Sequence, residues 1–386
     1  MRYLSADFIY PLSDAENILP LIQGSIVLDG EDKIIETLSY RLDHSDLEIY
    51  SGALVPGFIN SHTHLELSHL KGRIPEGMGL IDFILTLQKI REEDPNKIQE
   101  EIKSALIFMK DSGIMGFGDI SNTMDSFQLK RDSPLVSHTF LECFGFIPSR
   151  APMVIEKALD LKGKAEDLGL KNSIVPHSPY SVSKELFDLI RKEDPGIMSI
   201  HNQETEAENE FYEEAKGDFL RLYQSFGMDI SFFKAYHSNS LQTYYPWLGP
   251  RKKILVHNTF TNPNDLEIIG PKDYLCFCPK ANLYIEKALP KVPEFLKYSS
   301  RLLIGTDSLA SNDQLSILEE LKVLQFHFPE IPLGQMLFWA SKNGAEFFEW
   351  KDLGSFEKGK KPGLVLIENL DANGNLKPNS IAKRMV

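Results

Sequence analysis

The chain of 386 residues has only three cysteines, Cys143, Cys276 and Cys278. An odd number at so low a density excludes a disulfide scaffold. No run of 18 apolar residues exists, so no membrane-spanning helix is expected. The N-terminus, MRYLSADFIYPLSDAENI, has no continuous apolar core of the kind a signal peptide needs, and the expected location is the cytoplasm. Basic residues are the minority, 41 Lys and Arg against 55 Asp and Glu, for a net charge of −14 without a basic block. That argues against nucleic acid and anionic membranes as partners, since both require clustered cations. A small anionic substrate is not excluded, because one Arg in a pocket would receive it.

What is present is ordinary for a soluble globular chain: 42% apolar and 25% charged residues. The length suits one barrel of about 250 residues plus a smaller module. In GSIVLDGEDKIIET, two alternating apolar runs flank Asp29-Gly30, a good hairpin signal. From about Leu54 the character changes, and short apolar runs alternate with longer amphipathic stretches. The strand candidates are ALVPGFIN (53–60), MGFGDI (115–120), LVSHTFLECF (135–144), NSIVPH (172–177), GIMSIH (196–201), KILVHN (253–258), YLCFCP (274–279) and RLLIGTD (301–307). Between them lie helix-like segments such as DPNKIQEEIKSALIFMKDSG and SKELFDLIRKED. Continuous apolar strands separated by helices predict a parallel sheet covered on its outer face, and eight such units predict closure.

Beyond the eighth strand, SILEELKVLQFHF and PLGQMLFWASKNGAEFFEW read as helices. The tail returns to β character in GLVLIENL and an Asn373-Gly374 turn. The expected fold is therefore α/β: a (β/α)8 TIM barrel over 54–354, with a small β-sandwich domain built from both chain ends, 1–53 and 355–386.

The ten histidines are not placed at random. His62 and His64, in NSHTH, follow strand one, and alternate residues of an extended chain point the same way. His177, His201, His257 and Asp307 close strands four, five, six and eight, at the strand ends where barrel sites are assembled. A lone His at a strand end is usually a hydrogen-bonded core residue, and an HxH pair binds metal only in a minority of cases. Here the coincidence carries the argument. Three imidazoles and one carboxylate suit one divalent metal, zinc first, with iron(II) or manganese also fitting. Strand four ends in IVPHSPYS and offers no bridging Lys, which favours one metal over two. Glu204, three residues past His201, is either a solvated acid in the run Glu204, Glu206, Glu208 and Glu210 or a proton shuttle beside the metal. Cys276 and Cys278 alternate inside an apolar strand and read as packing. His44, His69, His138, His237 and His327 have no constellation and receive no role. Arg150 is the cation best placed to meet an anionic part of a substrate, although solvation alone would also account for it.

These residues resemble a known family. PGFINSHTHLELSHLKG, HSPYS, HNQETEAE, VHNTF, CPKANLYI and GTDSLASND are similar, in order, to the signatures of the amidohydrolase superfamily, in particular its aminohydrolase branch of N-heterocycle deaminases and chlorohydrolases. FWASKNGAEFF and LGSFEKGKKPGLVLI resemble the segments leading into its small β domain. The resemblance runs from about Val55 to Ile367 and implies a metal held by His62, His64, His201 and Asp307. It further implies a proton delivered to a ring nitrogen by Glu204, a water oriented by His257 and deprotonated by Asp307, and a substrate touched by His177. Lys361-Pro362-Gly363 departs from the usual Lys-Ala-Asp. Glu66 in HLELS resembles the branch that deaminates aminofutalosine, an adenine nucleoside derivative. The implied activity is metal-dependent deamination of such a small molecule, with a homodimer left open. Amide or chloride hydrolysis is the alternative within hydrolysis, and a non-catalytic binding or assembly barrel the alternative outside it.

Overall fold

The computed structural model describes residues 1–14 and 18–386. Eight parallel strands carry the barrel: β1 (Phe58–Thr63), β2 (Ile114–Ser121), β3 (Val136–Cys143), β4 (Asn172–Pro176), β5 (Met198–Asn202), β6 (Lys253–His257), β7 (Asp273–Phe277) and β8 (Leu302–Ile304). They pair as two four-stranded halves, β1-β2-β3-β4 and β5-β6-β7-β8. Hydrogen bonds join the halves at both seams. The His201 amide donates to the His177 carbonyl at 2.9 Å, and the Thr306 and Asp307 amides donate to the His62 carbonyl at 3.0 and 3.1 Å. The fold is an α/β (β/α)8 barrel. Every residue of β1, β5 and β6 is buried, which explains their nearly unbroken apolar runs.

The surrounding helices follow their local signals. Pro95–Asp111 starts after Asp94, whose carboxylate accepts the Asn96 amide, and Lys184–Glu193 starts after Ser183, whose hydroxyl accepts the Leu186 amide. One expectation needs correction. The run 53–60 is not one strand. It divides at Gly57 into Leu47–Pro56, which belongs to another sheet, and β1. A Cβ on Gly57 would lie 2.8 Å from the Pro362 carbonyl oxygen, so the chain crosses between sheets where no side chain fits. PLGQMLFWASKNGAEFFEW is helical as expected, in two helices, Leu333–Ala340 and Lys342–Phe348, because Ser341 leaves helical geometry at φ −137° and ψ −74°. The turn seats Gly344 against Ile59 of β1, where a Cβ would lie 2.7 Å from the Ile59 side chain.

The other sheet has seven strands: Arg2–Ile9, Leu21–Ile22, Ser25–Leu28, Ile34–Leu38, Leu47–Pro56, Leu364–Glu368 and Ile381–Arg384. Leu47–Pro56 runs parallel to Arg2–Ile9 and antiparallel to Leu364–Glu368, so the two chain ends share hydrogen bonds. Leu4, Ile26, Leu54 and Leu366 form one apolar cluster, whereas Ala53, Val55, Val365 and Ile367 turn the opposite way into the barrel's core. That alternation is the strand period of two.

Within the barrel, Asp119 of β2 accepts Lys130 Nζ at 2.7 Å and the Leu65 amide at 2.9 Å, with both charged side chains fully buried. It thus anchors the turn just after His64. Lys130→Met is expected to lower the unfolding free energy by about 3–5 kcal/mol, because it strands a buried carboxylate. Urea unfolding at neutral pH measures this, and a change below about 1 kcal/mol would show the pair to be dispensable.

Candidate active site

The C-terminal ends of the strands bring His62, His64, His201, His257 and Asp307 to one place. His62 Nε2 lies 3.1 Å from His64 Nε2, which lies 3.3 Å from His201 Nε2. Asp307 Oδ1 is 3.2 Å from His64 Nε2 and 3.6 Å from His62 Nε2. Donor atoms of His62, His201, His257 and Asp307 all fall within 4.8 Å of one another.

Hydrogen bonds on the far side of two rings set their tautomers. His201 Nδ1 donates to the His177 carbonyl at 2.8 Å, and His257 Nδ1 donates to Asn282 Oδ1 at 3.2 Å. Each therefore presents an unprotonated Nε2 to the centre. His257 Nε2 is buried and has no hydrogen-bond partner among the described residues. Burial keeps His201 well below the usual imidazole pKa and brings His62 down to about 4, so both are neutral at pH 7. His64 differs: burial acts to lower its pKa, but the Asp307 carboxylate outweighs that and raises it, so its proton serves Asp307 while the neutral His62, His201 and His257 crowd the same centre. A divalent cation would resolve that: the donor atoms that lie together are those of His62, His201, His257 and Asp307, with His64 Nε2 beside them, 3.3 Å from His201 Nε2.

Burial acts to raise the Asp307 pKa, but contacts with His62 and His64 outweigh it and hold the carboxyl well below its ordinary value. Its other oxygen accepts Ser311 Oγ at 2.5 Å. Glu204 is the opposite case. It is buried, its Oε1 lies 3.6 Å from His257 Nε2, and desolvation, reinforced by Asp307, pushes its pKa well above the normal carboxylate range. Of the acidic run, Glu204 and Glu208 are buried while Glu206 and Glu210 are exposed. Solvation therefore does not account for Glu204.

The backbone at this rim is strained. Gln203, His257, Asn258 and Asp307 adopt φ of +44°, +73°, +57° and +55°, the left-handed region that non-glycine residues seldom occupy. A buried polar network holds Gln203 in place. Its amide nitrogen donates to Asn209 Oδ1 at 3.0 Å and Asp265 Oδ2 at 3.1 Å, and its oxygen accepts Thr261 Oγ1 at 2.6 Å. The Gln203 backbone N–H donates to Glu208 Oε1 at 3.1 Å. With Gln203 clamped, the next residue, Glu204, faces the cavity.

That cavity measures about 730 Å³ and is lined by His64, Glu142, His177, His201, Glu204, His257 and Asp307, among others. Leu80, Phe83, Ile84 and Leu87 of the helix Leu80–Ile90 give it an apolar wall. His177 lies between the rings of Phe144 and His201, at centroid distances of 4.3 and 4.6 Å, and its Nδ1 is 2.7 Å from Ser181 Oγ. Burial keeps it neutral. Arg150 stands exposed at the cavity rim, on the turn Pro148–Arg150, and makes no ion pair among the described residues. Glu66 does not line the cavity. It accepts the Asn122 and Thr123 amides at 3.0 and 2.8 Å and so pins the end of β2. Cys143, Cys276 and Cys278 are all buried and free, as packing residues should be.

Sequence reasoning missed Glu142, whose buried carboxyl on β3 reaches within 3.6 Å of His201 Nδ1. The available signal was a charged residue near the end of an otherwise apolar strand, LVSHTFLECF.

Residues 53–386 match the amidohydrolase family, and the chain belongs to it. It is a hydrolase acting on carbon–nitrogen bonds. The relatives it resembles narrow the class. An adenosine deaminase of Helicobacter pylori is 29% identical over 356 residues, covering 86% of this chain and 85% of its own. A 5-methylthioadenosine/S-adenosylhomocysteine deaminase of Bacillus thuringiensis is 26% identical over 376 residues, covering 90% and 81%. The crystal structure of H. pylori aminofutalosine deaminase superposes with a TM-score of 0.76 at 25% identity, covering 95% of this chain and 91% of that one.

Proposed function

We propose that this protein removes ammonia hydrolytically from the adenine ring of a nucleoside derivative, aminofutalosine being one candidate. The observation that carries the reading is Glu204: a buried carboxyl whose pKa desolvation pushes up, 3.6 Å from His257 Nε2 and beside the histidine cluster, in a cavity large enough for a nucleoside. His62, His64, His201 and Asp307 would hold a divalent cation, which would supply the Lewis acidity that makes water a nucleophile near neutral pH. Zinc suits this donor set best.

The protein's own groups do the rest. His257 Nε2, fixed by Asn282, orients the attacking water. Asp307, ionised and tied to Ser311, takes the proton from that water. As the ring carbon becomes tetrahedral, charge builds on the neighbouring nitrogen, and Glu204 neutralises it by proton transfer. Asp307 then hands its proton to the departing amine. His177 contacts the ring from the β4 side, and Arg150 at the rim receives an anionic substituent of the substrate.

Chloride or amide hydrolysis would use much of the same machinery, but both sequence relatives described above are deaminases, which favours ammonia as leaving group. A non-catalytic barrel has no need of a complete donor set. The test is ammonia release from a panel of adenosine, methylthioadenosine, aminofutalosine, guanine and triazine compounds. Dialysis against a chelator is expected to abolish release, and Zn2+ to restore it, with Fe2+ and Mn2+ compared in parallel. Full activity after metal is shown to be gone would end the reading.

A further inference from the structure

Glu142 is a buried carboxyl that the mechanism leaves unused. It stands one residue before the end of β3, with its side chain 2% exposed. One oxygen, Oε2, accepts Asn122 Nδ2 at 3.0 Å. The orientation of that amide is fixed, since Asn122 Oδ1 accepts Arg91 at 3.1 Å and its backbone N–H donates to Glu66 at 3.0 Å. Glu142 lines the cavity, and its other oxygen, Oε1, is buried with no hydrogen-bond partner among the described residues. His201 Nδ1, 3.6 Å from it, has already given its proton to the His177 carbonyl at 2.8 Å. A buried acceptor with no donor is costly and calls for one.

Two kinds of occupant would supply it. A second cation could lie among Glu142, His177 and His201, whose candidate donor atoms fall within 4.8 Å of one another. This fails on the tautomer. His201 needs Nε2 for the first site and carries its proton on Nδ1, so no lone pair remains there and only two donors are left. A substrate group that donates a hydrogen bond does not meet this obstacle. Glu142 comes from β3, two strands from Glu204, on the side of the cavity where Phe144 and Arg150 lead outward. A nucleoside whose base meets Glu204 and whose substituent points toward Arg150 places its sugar between them.

We propose that Glu142 Oε1 accepts a hydrogen bond from a sugar hydroxyl of the bound nucleoside, so that Glu142 selects hydroxylated ribosides over deoxy analogues and free bases. Asn122 and Arg91 hold it in register. The inference rests on the adenine nucleoside reading above.

The experiment compares adenosine, 2′-deoxyadenosine, 3′-deoxyadenosine and adenine as substrates of the metal-loaded wild type, Glu142→Gln and Glu142→Leu. Wild type is expected to favour adenosine over at least one deoxy analogue by about 10- to 100-fold in kcat/KM. Glu142→Leu should erase that ratio, chiefly by raising KM for adenosine. Glu142→Gln, which keeps an acceptor oxygen, should retain part of it. A merely structural role would lower all nucleosides alike and leave the ratio intact, which overturns the proposal. Equal use of adenosine and both deoxy analogues by wild type also overturns it, while sparing the deaminase reading. No ammonia from any adenine nucleoside, with release from another heterocycle, removes both. Two equivalents of metal in wild type and one in Glu142→Leu would assign the pocket to a cation instead.

Discussion

Glu204→Gln is expected to lower turnover by ~10²-fold or more while the metal content of the purified protein stays unchanged. The substitution is nearly isosteric, so the network that clamps Gln203 and directs residue 204 inward should survive. What goes is the transferable proton. Burial and the neighbouring Asp307 raise the Glu204 pKa well above the ordinary carboxylate value, so the acid form persists at pH values where an exposed glutamate is ionised. The sign of the pH dependence follows. Activity that needs protonated Glu204 holds on the acidic side and falls as pH rises through the raised pKa. In Glu204→Gln that alkaline limb should vanish along with most of the rate. A pH profile of kcat/KM on both proteins, with metal analysis of the same samples, checks this. Wild-type turnover in the variant would take Glu204 out of the chemistry.

The sequence displays the barrel because its strands are buried on both faces and so are written as unbroken apolar runs, KILVH and MSIHN among them. His201, His257 and Asp307 were legible for a related reason, since a polar residue at the end of such a run stands out. Three features were not. The break at Gly57 lies inside a continuous apolar stretch, and only the approach of the Pro362 carbonyl shows why the chain must change sheets there. Gln203 looks like any loop amide, yet its left-handed backbone and buried partners from 209, 261 and 265 decide where Glu204 points. Glu142 needed its environment, because whether a carboxyl on a strand is paired, and on which oxygen, depends on Asn122 from a different strand end. Periodicity reports which residues are buried; it does not report which buried atoms lack a partner.

Asp307→Asn should be the more damaging change, lowering kcat by ~10³-fold or more and reducing bound metal as well. Fold disruption is not the expected cause. Position 307 has φ of +55°, and asparagine is one of the few residues that accept left-handed geometry readily, so the backbone bonds that close the seam to His62 can persist. The loss comes from charge. The carboxylate sits 3.2 Å from His64 Nε2 and 3.6 Å from His62 Nε2, and those contacts hold it ionised despite its burial. A neutral amide neither balances a divalent cation nor accepts a proton from water, so in the proposed mechanism one substitution would remove a ligand charge and a base together. Glu204→Gln removes only a proton donor, and the two variants should therefore separate on metal content. Calorimetric zinc titration of both proteins beside single-turnover kinetics distinguishes them. If Asp307→Asn held one equivalent of zinc with wild-type affinity and turned over normally, the carboxylate would be a structural group of the β8 seam, and the proton acceptor would have to be sought elsewhere in the cavity.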